Sequence, residues 1–335
     1  MSQLKRATLY DVAEHAGVSY QTVSRVINAS PHVSPQTLRR VQNAIRALDY
    51  QPNKAAQMLV TRRSFTLEMI MVGAAPAYYG PSQMMTSVEQ AARASGFKLI
   101  YSSIDSNAPD QMQYLSDNLG TIDGLIVITP IQDALIDDML RLTGRPFVKI
   151  GTEQGMGLPS VIIDQRFGSR LAVQYLLDLG HRRIAEISGP LNWYDAAARH
   201  EGWLSTLSQH HLGAELSVQA DWTAEGGYHA AQTLLGRRET FTALVAGNDQ
   251  MALGAMRALR EHRLRIPEDV SVIGFDDTPE SAFFEPPLTT IRQDFRAMGT
   301  RSVEYLVDMI SDRETPLQQH ILYPQLIVRH STATR

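Results

Sequence analysis

The chain of 335 residues contains no cysteine, which excludes disulfides, thiolate zinc sites and cysteine nucleophiles together. It also lacks long apolar runs. Stretches such as Gly124 to Ile128 and Val270 to Phe275 fall far short of the roughly 20 residues that span a bilayer, so no transmembrane helix is expected. The opening Met-Ser-Gln-Leu-Lys-Arg is followed by polar amphipathic sequence rather than an apolar segment, which predicts no secretory signal and a cytoplasmic location. Catalytic signatures are missing as well: there is no G-x-S-x-G elbow, G-x-x-x-x-G-K-[ST] loop, G-x-G-x-x-G or H-E-x-x-H. His210-His211 sits on a polar helix end and reads as solvated rather than as a metal pair. Neither an enzyme nor a bound cofactor or metal is expected.

What is present is ordinary globular material, 44% hydrophobic and 20% charged residues, in a length that suits two or three domains. The net charge of -4 hides an asymmetry. Residues 1–63 carry nine Lys/Arg against three Asp/Glu, and the other 272 residues carry 22 against 32. A basic head on an acidic body points to polyanion binding by the head, with a solvated helix face as the bland alternative.

Thr8-Leu9-Tyr10-Asp11 has the [ST]-x-x-[DE] form of a helix start, and Leu9, Val12, Ala13 and Ala16 follow at helical spacing. Gly17 offers a left-handed stop, and Ser19 a cap for a second helix. There Val23, Val26 and Ile27 form the apolar stripe, which leaves Tyr20, Gln21, Ser24, Arg25 and Asn28 on the opposite face. A third helix starts at Ser34-Pro35 and presents Leu38, Val41, Ala44, Ile45 and Leu48 to the core. Two short helices across a tight glycine turn, with a third behind them, form a helix-turn-helix unit. The exposed face suits base reading, because Gln pairs bidentately with adenine, Arg with guanine, and Tyr offers a ring and a hydroxyl. Thr8, Thr22, Ser24 and Asn28 suit phosphates. Tyr50-Gln51-Pro52-Asn53 then ends the third helix, and Asn53 caps a short apolar segment, Lys54 to Val60, too short to be stable alone.

From Leu67 onward, β-rich apolar runs alternate with helical patterns. Strands are expected near 67–73, 97–103, 123–128, 146–150 and 160–164, with helices near 82–95, 109–119 and 132–142. A second series places strands near 183–188, 216–221, 242–246 and 270–275, with helices near 168–179, 196–211, 225–236 and 248–263. Ile321 to Val328 is strand-like. Two βα series predict two parallel open sheets with helices on both faces, an α/β body, whose ligands sit at the carboxyl ends of strands. Asp164, Asn248-Asp249 and Asp276-Asp277 follow strands, Arg199 opens a helix after one, and Trp222 lies at a strand end. Such donors and acceptors suit vicinal hydroxyls, and an indole face suits a sugar ring. Taken singly, each has a plainer reading as an N-cap, a turn residue or a surface charge.

Thr8-Leu9-Tyr10-Asp11-Val12-Ala13, Ala16 through Val26 (Ala-Gly-Val-Ser-Tyr-Gln-Thr-Val-Ser-Arg-Val) and Tyr50-x-Pro-Asn53 resemble the lactose-repressor family of bacterial transcription regulators. Gly180-His181, Gly189-Pro190-Leu191, Asn248 through Ala258, Pro287 through Ile291 and Gln293 through Arg296 extend the likeness over nearly the whole chain. The resemblance implies a helix-turn-helix headpiece (1–50), a hinge helix and linker (51–64), and a periplasmic-binding-protein-like core. The core's N-subdomain would comprise 65–163 plus 295–322, and its C-subdomain 164–294 plus 323–335. It also implies a repressor that binds a pseudo-palindromic, double-stranded operator as a homodimer and responds to a small carbohydrate between the subdomains. Induction or corepression stays open, and a sugar receptor or enzyme is the alternative class. Tyr20, Gln21 and Arg25 would read bases, with Thr8, Leu9, Ser19, Thr22, Ser24, Asn28 and His32 in the same interface. Asn53, Ala56, Gln57 and Leu59 would lie in the hinge, Leu59 wedging into the minor groove.

Carried over residue by residue, the effector set is Ala74, Tyr78, Gly151, Asp195, Arg199, Trp222, Asn248, Asp276, Gln293 and Phe295. Three of these depart from the lactose-repressor pattern: Gly151 replaces an aspartate, Asp195 a serine, and Ala74 another serine. Aromatics at Tyr78, Tyr79, Trp193 and Tyr194 are added nearby. An effector other than a simple galactoside is therefore expected, with a longer or aromatic glycoside as one option and plain core packing of the aromatics as the other. The sequence ends at Arg335 without the leucine-rich tetramerisation helix of the family's namesake, so a dimer is expected.

Overall fold

The computed structural model describes residues 7–27, 33–50, 63–73, 79–104, 121–131, 134–312 and 314–335. Asn28, His32, the hinge positions Asn53, Ala56, Gln57 and Leu59, the pocket positions Ala74 and Tyr78, and the helix expected over 109–119 lie outside the described residues. The chain divides into two compact units, Met1–Ser64 and Phe65–Arg335.

The first unit holds α1 (Leu9–Ala16), α2 (Tyr20–Ile27) and α3 (Pro35–Ala47). Asp11 N donates to Thr8 Oγ1 at 3.3 Å while Thr8 N donates to Asp11 Oδ2 at 2.6 Å, so the start of α1 is a reciprocal capping box. Gly17 ends the helix at φ +60, a left-handed conformation that glycine adopts without a Cβ penalty. Ser19 Oγ then accepts from Thr22 N at 3.1 Å and begins α2. Val12, Ala13, Ala16, Val23, Val41 and Ala44 are buried together. Tyr50, which the sequence suggested only as a helix breaker, is buried with them, whereas Leu38 stays 37% exposed. Arg40 donates to the carbonyls of Ala16 at 2.5 Å and Gly17 at 2.9 Å. Part of the head's basic charge therefore ties α3 to the unpaired carbonyls at the end of α1.

The second unit contains two six-stranded sheets. The first is built from β1 (Thr66–Val72), β2 (Lys98–Ile104), β3 (Gly124–Ile128), β4 (Phe147–Ile150), β5 (Ser160–Ile163) and β11 (Gln319–Leu322), in the order β11-β5-β4-β3-β1-β2, every pair parallel. The second contains β6 (Ile184–Ser188), β7 (Ser217–Gln219), β8 (Ala243–Ala246), β9 (Ser271–Asp276), β10 (Thr289–Arg292) and β12 (Gln325–Ile327), in the order β12-β10-β9-β8-β6-β7. Its edge strand β12 runs antiparallel to β10, the one departure from the all-parallel expectation. The helices are α4 (Tyr79–Ala94), α5 (Ala134–Leu142), α6 (Gln165–Asp178), α7 (Tyr194–Gln209), α8 (Ala224–Leu235), α9 (Asp249–Glu261) and α10 (Phe295–Ser311).

The period of two in each strand separates two cores per sheet. In β1, Leu67, Met69 and Met71 pack with Val88 of α4 and Leu306 of α10, while Ile70 and Val72 face Ile136 and Leu140 of α5. In β8, Leu244 and Ala246 face α8 and α9, and Ala243 and Val245 face α6 and α7. Parallel strands covered on both faces read as near-continuous apolar runs, which is why most of them were legible.

Four features differ from expectation. The strand-like run Ile321 to Val328 is two strands in different sheets, because Pro324 between them has no N–H to give a ladder. β10 and α10 were not read as elements at all. Helix α7 starts at Tyr194, so Arg199 occupies its second turn rather than the first.

Candidate functional site

On the first unit, Ser19, Tyr20, Gln21 and Arg25 are exposed, and Thr22 and Ser24 are half-buried. Thr22 Oγ1 lies 2.8 Å from Ser19 Oγ, and Thr8 Oγ1 donates to Asp11 Oδ2 at 2.7 Å, so both hydroxyls are engaged in local caps. Leu9 packs half-buried against the core. Tyr10, which sequence reasoning passed over, is 70% exposed and stacks on Tyr20 with centroids 4.8 Å apart. Its signal was available: an aromatic on α1 at a helical position outside the apolar stripe.

In the second unit a cavity of about 320 Å³ lies where the carboxyl ends of both sheets meet, bounded by Met71, Ile128, Gly151, Asn248, Asp276 and Gln293 among others. All eight described members of the sequence-derived set line it: Gly151, Asp195, Arg199, Trp222, Asn248, Asp276, Gln293 and Phe295. They come from both sheets and their flanking helices, brought together by the strand ends. Tyr79 joins them, its ring edge-on to Phe295 at 5.9 Å. Asp164 lies outside this cavity, where it caps α6 through Phe167 N at 2.8 Å and faces a neighbouring one.

Arg199 is the centre of the polar wall and is only 7% exposed. Its Nε donates to Gln165 Oε1 at 2.9 Å, Gln165 Nε2 donates to Gln293 Oε1 at 2.7 Å, and Gln293 Nε2 donates to Asp276 Oδ1 at 2.6 Å. A second guanidinium nitrogen donates to the Gly247 carbonyl, and the third stands 3.9 Å from both Asp195 and Asp276. Its central carbon lies over the Phe275 ring, 3.9 Å from the centroid. Two of its five N–H donors are thus fixed by neutral acceptors. The two on the third nitrogen stand near the Asp195 and Asp276 carboxylates at a distance too long for direct hydrogen bonds. Gln165 was missed because it sits 34 residues from Arg199 and 128 from Gln293 in sequence.

Beside the guanidinium the wall is aromatic, the Trp222 ring centroid lying 5.3 Å from the Arg199 guanidinium carbon. Trp222 packs beside Trp193 at 5.8 Å, and its ring occupies the space a Cβ on Gly189 would take, at 2.4 Å. Asn248 is the N-cap of α9, accepting from Met251 N at 2.8 Å and donating to the Trp222 carbonyl at 3.0 Å. The plain N-cap reading therefore holds, yet one lone pair and one N–H remain. Trp222 Nε1 and Thr278 Oγ1, both on buried residues of this wall, have no hydrogen-bond partner. Buried groups of that kind cost about 1 to 3 kcal/mol each. Trp222 (φ +73), Asp276 (φ +109) and Asp277 (φ +53) also hold left-handed backbone, strain that concentrates at functional sites.

Burial raises the Asp276 carboxyl to about 6, while Arg199 and the Gln293 hydrogen bond pull it down. Burial, reinforced by Asp276, raises Asp249 to about 8. Asp249 is structural: it accepts from Thr290 Oγ1 at 2.5 Å and Thr278 N at 2.7 Å. Asp277 is held by Arg292 at 2.6 Å and Arg329 at 2.5 Å. Among the described residues no cluster of His, Asp or Glu could hold a metal ion, and no helix is long and apolar enough to cross a membrane.

The chain matches the model of bacterial regulatory proteins of the lacI family over residues 8–53 and that of a periplasmic binding protein-like domain over 173–332. It is 36% identical over 336 residues to the lactose operon repressor of Escherichia coli (strain K12), covering 98% of this chain and 91% of that protein. A solved structure of the lac repressor dimer bound to operator and the anti-inducer ONPF aligns at 34% identity and TM-score 0.80, covering 98% of this chain and all of that one. A complex of the transcriptional regulator CelR with cellobiose aligns at 33% identity and TM-score 0.74, covering 97% of this chain and 100% of the other.

Proposed function

This chain belongs to the lacI family of bacterial regulatory proteins, and from that premise we propose that it is a transcriptional repressor controlled by a small carbohydrate. It binds a pseudo-palindromic operator as a homodimer through α2, and the carbohydrate occupies the cavity between its two sheets. The carrying observation is the cavity itself. Arg199 presents donors 3.9 Å from Asp276 and Asp195, and the indole of Trp222 flanks its guanidinium at 5.3 Å on the same cavity. A pyranose has the matching chemistry, with hydroxyls around its rim and apolar C–H faces.

Gln21 and Arg25 read base edges, Tyr20 with Tyr10 stacked on it presents an aromatic edge, and Thr8, Leu9, Ser19, Thr22 and Ser24 sit against the backbone. The family resemblance adds Asn28, His32, Asn53, Ala56, Gln57 and Leu59 to the proposed DNA contacts. The proposed core comprises an N-subdomain, 65–163 with 295–322, and a C-subdomain, 164–294 with 323–335, a division that the two sheets support. Mechanism follows from linkage: an effector that favours one arrangement of the subdomains changes operator affinity by the factor by which the operator changes effector affinity. Catalysis has no part in it.

A thermal-shift screen of saccharides on the purified full chain tests the carbohydrate assignment, because a ligand at ~100 times its Kd adds about 2.7 kcal/mol of stability. A saccharide that raises Tm and alters operator binding supports the reading. A panel of saccharides that leaves Tm unmoved, with turnover or release of DNA by another ligand class, overturns it.

A further inference from the structure

The start of helix α7 borrows a hydrogen-bond acceptor from the other sheet. Its N-cap is Trp193, in extended backbone at φ −93 and ψ 135, and the indole makes no capping hydrogen bond. The first turn of any helix leaves backbone N–H groups without intrahelical partners. Here the N–H of Tyr194 donates to the carbonyl of Pro130 at 2.9 Å, and an antiparallel bridge pairs Ile131 with Trp193 beside it. Pro130 and Ile131 follow β3 of the first sheet, whereas Trp193 and Tyr194 follow β6 of the second. The Trp193 side chain packs against the core clusters of both sheets. Backbone and indole therefore join the two halves of the core at one place.

We propose that this junction is a clasp that holds the two subdomains closed on each other in the absence of a ligand. Its strength sets the closed population on which effector and operator act. The clasp presupposes the division of the core into two subdomains and no particular effector.

Position gives the clasp its leverage. The described strands change sheet three times, after β5, after β10 and after β11. These covalent crossings gather toward one edge of each sheet, at β5 and β11 in the first and at β10 and β12 in the second. β3 lies two strands in from β5, and β6 three strands in from β10. At about 4.8 Å per strand, the clasp is roughly 10 to 14 Å from the crossings. Hinge rotation about the crossings must part Pro130 from Tyr194, because each moves with a different sheet.

One neutral hydrogen bond shifts such an equilibrium by about two- to tenfold, and the indole adds apolar contact on both sides. A shift of that size reaches function directly, since apparent affinity scales with the fraction of molecules in the binding-competent arrangement.

Tyr194 is the first residue of α7, a position where proline is tolerated because its N–H takes no part in the helix. Trp193 already holds the extended backbone that a residue before proline adopts. Tyr194→Pro thus deletes the N–H that reaches Pro130 and spares the helix, and Tyr194→Ala, which loses the ring and keeps the N–H, is the matched control.

The chain has no cysteine, so spin labels can be placed uniquely by Leu142→Cys on α5 and Arg238→Cys between α8 and β8, both exposed. Pulsed electron paramagnetic resonance then reads the distance between them in the ligand-free full chain, with labelled chains diluted into unlabelled ones. The parent and Tyr194→Ala should share one short-distance population. Tyr194→Pro should raise the ratio of long to short distances about two- to tenfold, and Trp193→Ala, which removes the indole, should raise it as well. A Tyr194→Pro distribution that coincides with that of Tyr194→Ala would overturn the clasp, as would a parent dominated by long distances. Should Tyr194→Pro lose its thermal transition, Trp193→Ala decides alone, and an unchanged distribution there overturns the clasp. No saccharide enters the measurement, so failure of the clasp and failure of the carbohydrate reading are distinguishable.

Discussion

Replacing Arg199 by Ala removes the hub of the polar wall, and the structure sets the size of the effect. The Gln165 Oε1 and Gly247 carbonyl acceptors, fixed by Arg199, are left buried without their donor at about 1 to 3 kcal/mol each, so a loss of about 2 to 6 kcal/mol is expected. The loss should depend on pH in a defined sense. Asp276 already sits at about 6 in the folded chain against about 4 when unfolded. Its protonation therefore favours folding below that window, and the benefit fades as pH rises through it. Without the Arg199 charge, the folded carboxyl moves higher still, and the upper edge of the window moves with it. Urea denaturation of wild type and Arg199→Ala at several pH values should give a deficit that is larger near pH 8 than near pH 5. Sugar response should vanish while operator binding, a property of the separate head, persists. A variant as stable as wild type, or a deficit that does not change with pH, would refute this placement of Arg199.

Gly189→Ala puts a methyl where the Trp222 ring lies at 2.4 Å. It should weaken saccharide binding by about tenfold or more in calorimetry and leave operator affinity unchanged. Arg25→Ala should cost about 1 to 3 kcal/mol on the cognate operator and relax preference at one half-site position in a competition assay. Thr8→Ala should instead weaken all DNA sequences alike and destabilise the head by about 1 kcal/mol, since the capping box is lost. Saccharide affinity should fall as pH drops below about 6, because a hydroxyl donates better to ionised Asp276, whose carboxyl lies at about 6. A pH-independent Kd between pH 5 and 8 would count against that contact.

The head was legible almost throughout because its information is local. Thr8 caps three residues away, Gly17 turns where no side chain interferes, and the stripe Val12, Ala13, Ala16 follows from helical spacing alone. Leu38, at core spacing yet 37% exposed, and Tyr50 were the exceptions; nothing within the helix period marks a residue that folds back from beyond α3. In the core, covered strands announced themselves as apolar runs. β10, four residues with two threonines, did not, and neither did α10, whose partners on β1 and α4 lie more than 200 residues earlier. The cavity followed the same rule. Residues at strand ends could be named singly, but the hydrogen-bonded chain from Arg199 through Gln165 and Gln293 to Asp276 exists only after both sheets have formed. So does the neighbouring cavity that Asp164 faces, whose walls come from β5, α6 and α7.

The central claim is that sugar and operator are coupled through this core, and the most direct test is reciprocity. Operator Kd is measured by fluorescence anisotropy with and without saturating saccharide, and saccharide Kd by titration with and without saturating operator. The account predicts that both constants change, by the same factor, as linkage requires. Two constants that stay unchanged in the presence of the other ligand would contradict it.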